Sequence, residues 1–162
     1  MDPQLRFGLS IALSFVVWAL VAKYYFWPAL RIQPWPEGFR PILLLHATRF
    51  IGLGFLVPGV VSPDLPIAFA GPAAYGDLIA ALLALAALAA LEKRIGLFVL
   101  WSFNVWGTGD LLFAFYQGLI GGGVEPGLFG AMYFVPTVAV PLLIVTHVLA
   151  FRMLLAARQP AA

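Results

Sequence analysis

Residues 41–66 read PILLLHATRFIGLGFLVPGVVSPDLP, an apolar run that ends in a proline-rich turn and carries His46 and Arg49 in its middle. At about 1.5 Å per helical residue, Pro41 to Val61 is long enough to cross the roughly 30 Å hydrocarbon layer of a bilayer. The run has no period-two alternation, so it does not read as a strand of an outer-membrane barrel. A charge at the centre of such a helix costs at least about 2.5 kcal/mol, so Arg49 is expected to face partners or water rather than lipid.

Four further runs of the same character flank this one. With 63% hydrophobic residues, 10% charged residues and a mean hydropathy of +1.00, the 162-residue chain carries more apolar surface than one soluble core of that size can hide. The expected fold is an all-α integral membrane protein, a single domain over residues 1–162. Its five transmembrane helices run at about Phe7 to Trp27, Pro41 to Val61, Ala73 to Leu91, Ile95 to Tyr116 and Leu128 to Phe151. The stretches between them, PALRIQPWPEGFRP, SPDLPIAFAGP, EKR and GLIGGGVEPG, hold most of the prolines, glycines and charges and read as loops. The first helix is read as retained, because WALVAKYY lacks a small-residue cleavage site. Cysteine is absent, which excludes disulfides, thiolate metal sites and cysteine nucleophiles.

Orientation follows from the basic residues. Assigning alternate loops to opposite faces puts Lys23, Arg31, Arg40, Lys93, Arg94, Arg152 and Arg158 on one side and Arg6 on the other. The positive-inside rule makes the first side cytoplasmic, with the N-terminus outside and the C-terminus inside a bacterial-type inner membrane. The net charge of +2 is therefore a topology signal, and no nucleic-acid partner is expected. The KYYFW cluster, residues 23–27, suits an interfacial aromatic belt, and the alanine–leucine run of the third helix reads as a packing surface.

Helical depth and phase gather the remaining polar residues into a column. His46 and Arg49, three apart on one face, fall about 8 and 12 Å deep, and Asn104 about 14 Å deep. His147 matches the depth of His46. The cytoplasmic half of the column is expected to hold His46, Arg49, Asn104 and His147, and the outer half Tyr75, Asp77, Thr108, Asp110 and Tyr133, with Thr137 on the same face as Tyr133. Within it Asn104 is expected to orient Arg49, and Asp77 and Asp110 to supply its counter-ions. Asp64 reads as a turn residue and Glu125 as solvated. Pro58, Pro136 and Pro141 are expected to bend the helices beside the column.

Three functional readings follow. The column binds a small ligand or relays protons through His46, Arg49, Asp77, Asn104, Asp110, Tyr133 and His147; or His46 and His147 ligate a haem b iron with Arg49 pairing a propionate; or the polar core only fixes packing in a non-catalytic subunit of a membrane complex. Two imidazoles are too few for a zinc site. Beside the bilayer, the expected partners are further copies of the chain or other membrane subunits. No nucleophile elbow, HExxH helix or phosphate loop is present, so no catalytic residue is assigned.

The ordered segments HATR, PDLPIAF, YGDL, FNVWGTGDLLFAF, GAMYFVPTVAVP and VTHVLAFR resemble a group of small, uncharacterised bacterial multipass membrane proteins over residues 41–152. RFIGLGFLVPGV followed by GDLIAALLALAAL is more weakly similar to the DoxX-like four-helix family. The first resemblance implies a membrane location and no particular activity.

Overall fold

The computed structural model describes residues 2–121 and 124–156. Arg158 of the orientation argument and part of the last expected loop, residues 122–123, lie outside the described residues. Among the described residues, five helices are long and apolar enough to cross a membrane: α1 (Pro3–Leu30), α2 (Glu37–Leu56), α3 (Ile67–Ala90), α4 (Gly96–Leu119) and α5 (Val135–Ala156). Among the described residues the sole strand-like pairing is an isolated bridge between Pro58 and Val61.

α3 forms the centre. Its buried face, which includes Ala73, Ala74, Gly76, Asp77, Ala80, Ala81, Ala84 and Ala87, repeats at three- and four-residue intervals and lets α2 and α4 approach closely. α5 completes the group and α1 lies outside it against α5, with only Phe7 and Ile11 buried in its first nineteen residues. Trp18 of α1 donates to the Val138 carbonyl over 3.1 Å.

The helices depart from regular winding beside several prolines and at breaks that apolar length does not mark. Helix α1 runs past Trp27 to Leu30, and the segment Ala22–Phe26 widens to π winding just before Pro28, whose ring carries no N–H for the ladder. Val135–Ala139 does the same before Pro141. The second helix stops at Leu56 rather than Val61, because Val57 turns to extended φ/ψ and Gly59 takes φ +82°. The third begins at Ile67 rather than Ala73 and tolerates Pro72 near its start. The expected helix 128–151 is divided: Pro126–Tyr133 is a run of 3₁₀ turns broken at Gly130 (φ 52°, ψ −131°), and α5 proper begins afterwards. Gly130 is required there, since a Cβ would run into the Val60 carbonyl. These two irregular segments satisfy each other: Ser62 N–H donates to Leu128 O and Ala131 N–H to Val60 O, each over 2.9 Å.

The interior is layered. One apolar cluster, with Phe39, Leu43, Leu100, Phe103, Leu149 and Leu154, fills the end near the α1–α2 and α3–α4 connections. A second, with Phe7, Phe55, Phe69, Phe129 and Met132, fills the opposite end. Between them lies a buried polar layer of His46, Arg49, Asp77, Asn104, Thr146 and His147.

Candidate functional site

Arg49 sits in this layer because of how α2 is wound. Arg40–Ala47 is α-helical, but Thr48–Leu56 tightens into nine residues of 3₁₀ helix, a winding uncommon beyond three or four residues. At three residues per turn, Arg49, Gly52 and Phe55 stack on one face, and these are the buried residues of the segment.

The guanidinium bridges two helices. Its Nε donates to Asp77 Oδ1 of α3 over 2.7 Å, its Nη2 to Asp110 Oδ2 of α4, and its Nη1 to the Gly107 carbonyl over 3.2 Å. Glycines make room for each partner: a Cβ at Gly52 would overlap the Asp77 carboxylate, one at Gly76 would overlap Asp110, and one at Gly107 would meet both His147 and Arg49. With one guanidinium and two ionised carboxylates, the cluster carries one uncompensated negative charge. In a buried layer that charge is costly and is relieved by taking up a proton or a cation.

Behind Arg49 lies a histidine pair. The rings of His46 and His147 have centroids 4.1 Å apart and planes tilted by 51°, and both rest on Phe103 at 5.1 Å. His46 Nε2 lies 2.9 Å from Thr146 Oγ1, and that hydroxyl already points its hydrogen at the Leu142 and Leu143 carbonyls. The His46 nitrogen is therefore the donor, which leaves Nδ1 as a lone-pair acceptor without a partner. His147 Nδ1 lies 2.7 Å from Asn104 Oδ1, so it donates and leaves Nε2 as a second unpartnered acceptor. Asn104 Nδ2 and Thr108 Oγ1 are also buried without partners. His147 Nε2 and Arg49 Nη1 lie 2.5 and 3.0 Å from the point where a Cβ on Gly107 would stand, so the two side chains close around the bare Cα.

Two cavities approach the layer from opposite ends. A narrow one of about 40 Å³, room for two or three waters, is walled by Phe7, Phe55, Phe69 and Phe129 and reaches Asp77 and Asp110. A wider one between α1, α2 and α5, lined by Trp18, Leu30, Ile42, Leu45 and Leu142, reaches Thr146.

Of the residues expected in the column, the structure brings together His46, Arg49, Asp77, Asn104, Asp110 and His147. Asn104 is turned toward His147 rather than Arg49, whose third contact is a backbone carbonyl instead. Tyr75 is 58% exposed on the outer surface of α3, and Tyr133 packs against the Phe7 ring at 5.6 Å beyond the apolar cluster, so neither joins the site. Thr137 spends its hydroxyl on the Tyr133 carbonyl. Asp64 and Glu125 are exposed in their turns. Sequence reading missed Thr146, whose only signal was its place one residue before His147, and Gly52 and Gly76, whose signal was their position opposite acidic residues. The histidine pair as packed does not fit a haem: an iron held between two imidazoles sets their ring centres roughly 6 Å apart, and these rings are in contact. Among the described residues no group of three or more His, Cys, Asp or Glu side chains could hold a metal ion.

No curated protein and no solved structure matches the chain. A family model does match, over residues 6–155, nearly the full length. The chain therefore belongs to the family described as Domain of unknown function (DUF8737).

Proposed function

We propose that this chain is a multi-pass protein of a bacterial cytoplasmic membrane whose Arg49–Asp77–Asp110 cluster exchanges protons, with His147 and His46 as the next stations of a relay. The observation that carries this reading is two buried carboxylates sharing one guanidinium, in a layer reached by two cavities from opposite sides. From the narrow cavity the polar groups lie in the order Asp110 or Asp77, Arg49, His147, His46 and Thr146, and the guanidinium, which keeps its charge, holds the two carboxylates in place beside the histidines. Each histidine keeps a lone-pair nitrogen free to accept a proton, as a relay needs.

The orientation belongs to the same proposal. Arg40 pairs with Glu37 and with Glu92 of the α3–α4 turn, the latter over 2.9 Å, and Arg152 stacks on Trp27 at 4.0 Å, so the basic residues collect at one end. We assign that end to the cytoplasm.

The test is proton uptake into liposomes that hold a pH-sensitive dye, driven by a potassium diffusion potential. Wild type is expected to acidify the lumen faster than protein-free vesicles. Asp110→Asn leaves a neutral Arg49–Asp77 pair, so the variant is expected to fold, and its flux should fall at least about tenfold. Flux that is absent in wild type, or unchanged in Asp110→Asn, removes the relay and leaves the cluster as a lock between α2, α3 and α4.

A further inference from the structure

The narrow cavity has a chemistry that proton exchange alone does not use. Its walls are almost wholly apolar, and four of its phenylalanines form a continuous array: Phe55 meets Phe69 at 5.8 Å and 89°, Phe69 meets Phe129 at 5.5 Å and 64°, and Phe7 stacks on Phe129 at 5.6 Å. Asp77 and Asp110 are its only charged lining among the described residues. Both carboxylates keep some accessible side-chain surface, 12% and 11%, where the guanidinium keeps 1%, so it is the acidic side of the cluster that faces the cavity. Asp77, 8% exposed as a residue, has a second oxygen, Oδ2, to which no described residue donates. An occupant must therefore be small, mostly apolar and carry one positive charge.

We propose that this cavity binds an alkylammonium group, held by Asp77 and Asp110 at its charged end and by the phenylalanine rings around its alkyl substituents. Aromatic faces attract an alkylated ammonium through their quadrupoles, most strongly where water is excluded. Inorganic cations fit poorly, since the walls offer no oxygen ligands beyond the two carboxylates. At about 40 Å³ the cavity holds two or three water-sized groups, so an ion of five heavy atoms enters only as the phenylalanine rings turn aside. Binding rests on the reading of the cluster as a proton-exchange site: the cation enters as one proton leaves a carboxyl group, and the charge of the layer is unchanged. Coupled to the relay, that exchange is the elementary step of a proton–ammonium antiporter.

The experiment is tetramethylammonium chloride titrated into protein in weakly buffered maltoside detergent at pH 7, with proton release read by an indicator dye. Tetramethylammonium carries no proton of its own, tert-butanol serves as the neutral analogue and sodium chloride as the inorganic control. Saturable release approaching one proton per chain with tetramethylammonium alone is expected, lost in Asp110→Asn and shifted to about tenfold higher concentration in Phe129→Leu. No release from wild type, or equal release with sodium or tert-butanol, overturns the site whatever the variants do. Persisting proton flux in liposomes beside a silent titration would remove the ammonium site and keep the relay. Saturable release without flux would keep the site and remove the relay. Repeating the titration in phosphatidylglycerol and phosphatidylcholine nanodiscs separates the sources: equal responses assign a free ammonium ion, and a response blocked only by phosphatidylcholine assigns a lipid headgroup.

Discussion

Arg49 is placed by side chains that are missing as much as by those that are present. Gly52 and Gly76 present bare Cα atoms to Asp77 and Asp110, and the carboxylates reach the guanidinium only because no methyl group stands in their way. Gly109, two residues past Gly107 on α4, faces open space. Gly76→Ala is expected to lower the thermal stability of the purified protein by about 1–3 kcal/mol through overpacking against Asp110. Gly109→Ala should be neutral or stabilising by up to about 1 kcal/mol through helix propensity. Equal effects at the two positions, measured by thermal unfolding in one detergent, would mean that Gly76 does not shape the site. The pairing of Arg49 with both aspartates was legible in the sequence, because an arginine in an apolar run must find carboxylates and only Asp77 and Asp110 lie at reachable depth. The partner of Asn104 was not legible. Depth placed it beside Arg49, but the rotation of α4 against α5 depends on lateral packing, and that rotation gave it to His147.

At the scale of the element, α2 is the unusual member. A helix that presented Arg49 inward at about 100° per residue would also bury Leu53 and Leu56 and turn Phe55 outward. Tightened to about 120° per residue, it buries Gly52 and Phe55 instead and delivers Phe55 to the aromatic cavity. Since the chain lacks cysteine, single cysteines carrying nitroxides report each position cleanly. Oxygen accessibility in lipid should be high at Leu53, low at Phe55 and higher again at Leu56, whereas low values at 53 and 56 with a high value at 55 would restore regular α winding. Apolar length revealed five helices because burial in lipid needs little more than length and composition. It did not reveal the 3₁₀ segment, the early end of α2 at Leu56 or the break at Gly130. Those depend on contacts distant in sequence, such as Val60 O against Gly130 and Ala131 N–H. Long 3₁₀ runs also make poorer hydrogen bonds than α-helix, so Thr48–Leu56 is the natural place for α2 to rewind if the site changes state.

For the molecule as a whole, the relay and the ammonium site have a direction only once the ends are assigned. The end that joins α1 to α2 and α3 to α4 carries Lys23, Arg31, Arg40, Lys93 and Arg94, and Arg152 of α5 reaches it through Trp27. The opposite end has Arg6 as its one basic residue among those described. Basic residues are retained on the cytoplasmic side during insertion, so the aromatic cavity is expected to open toward the outside and the Thr146 cavity toward the cytoplasm. Gln33, in the α1–α2 connection, and Asp64, in the turn after α2, are both exposed and lie at opposite ends. A membrane-impermeant maleimide applied to intact cells should label Asp64→Cys at once and Gln33→Cys only after lysis. The reverse pattern would invert the bundle and make the narrow, acid-floored cavity a cytoplasmic opening, so that an ammonium ion entering it would be exported against incoming protons rather than admitted from outside.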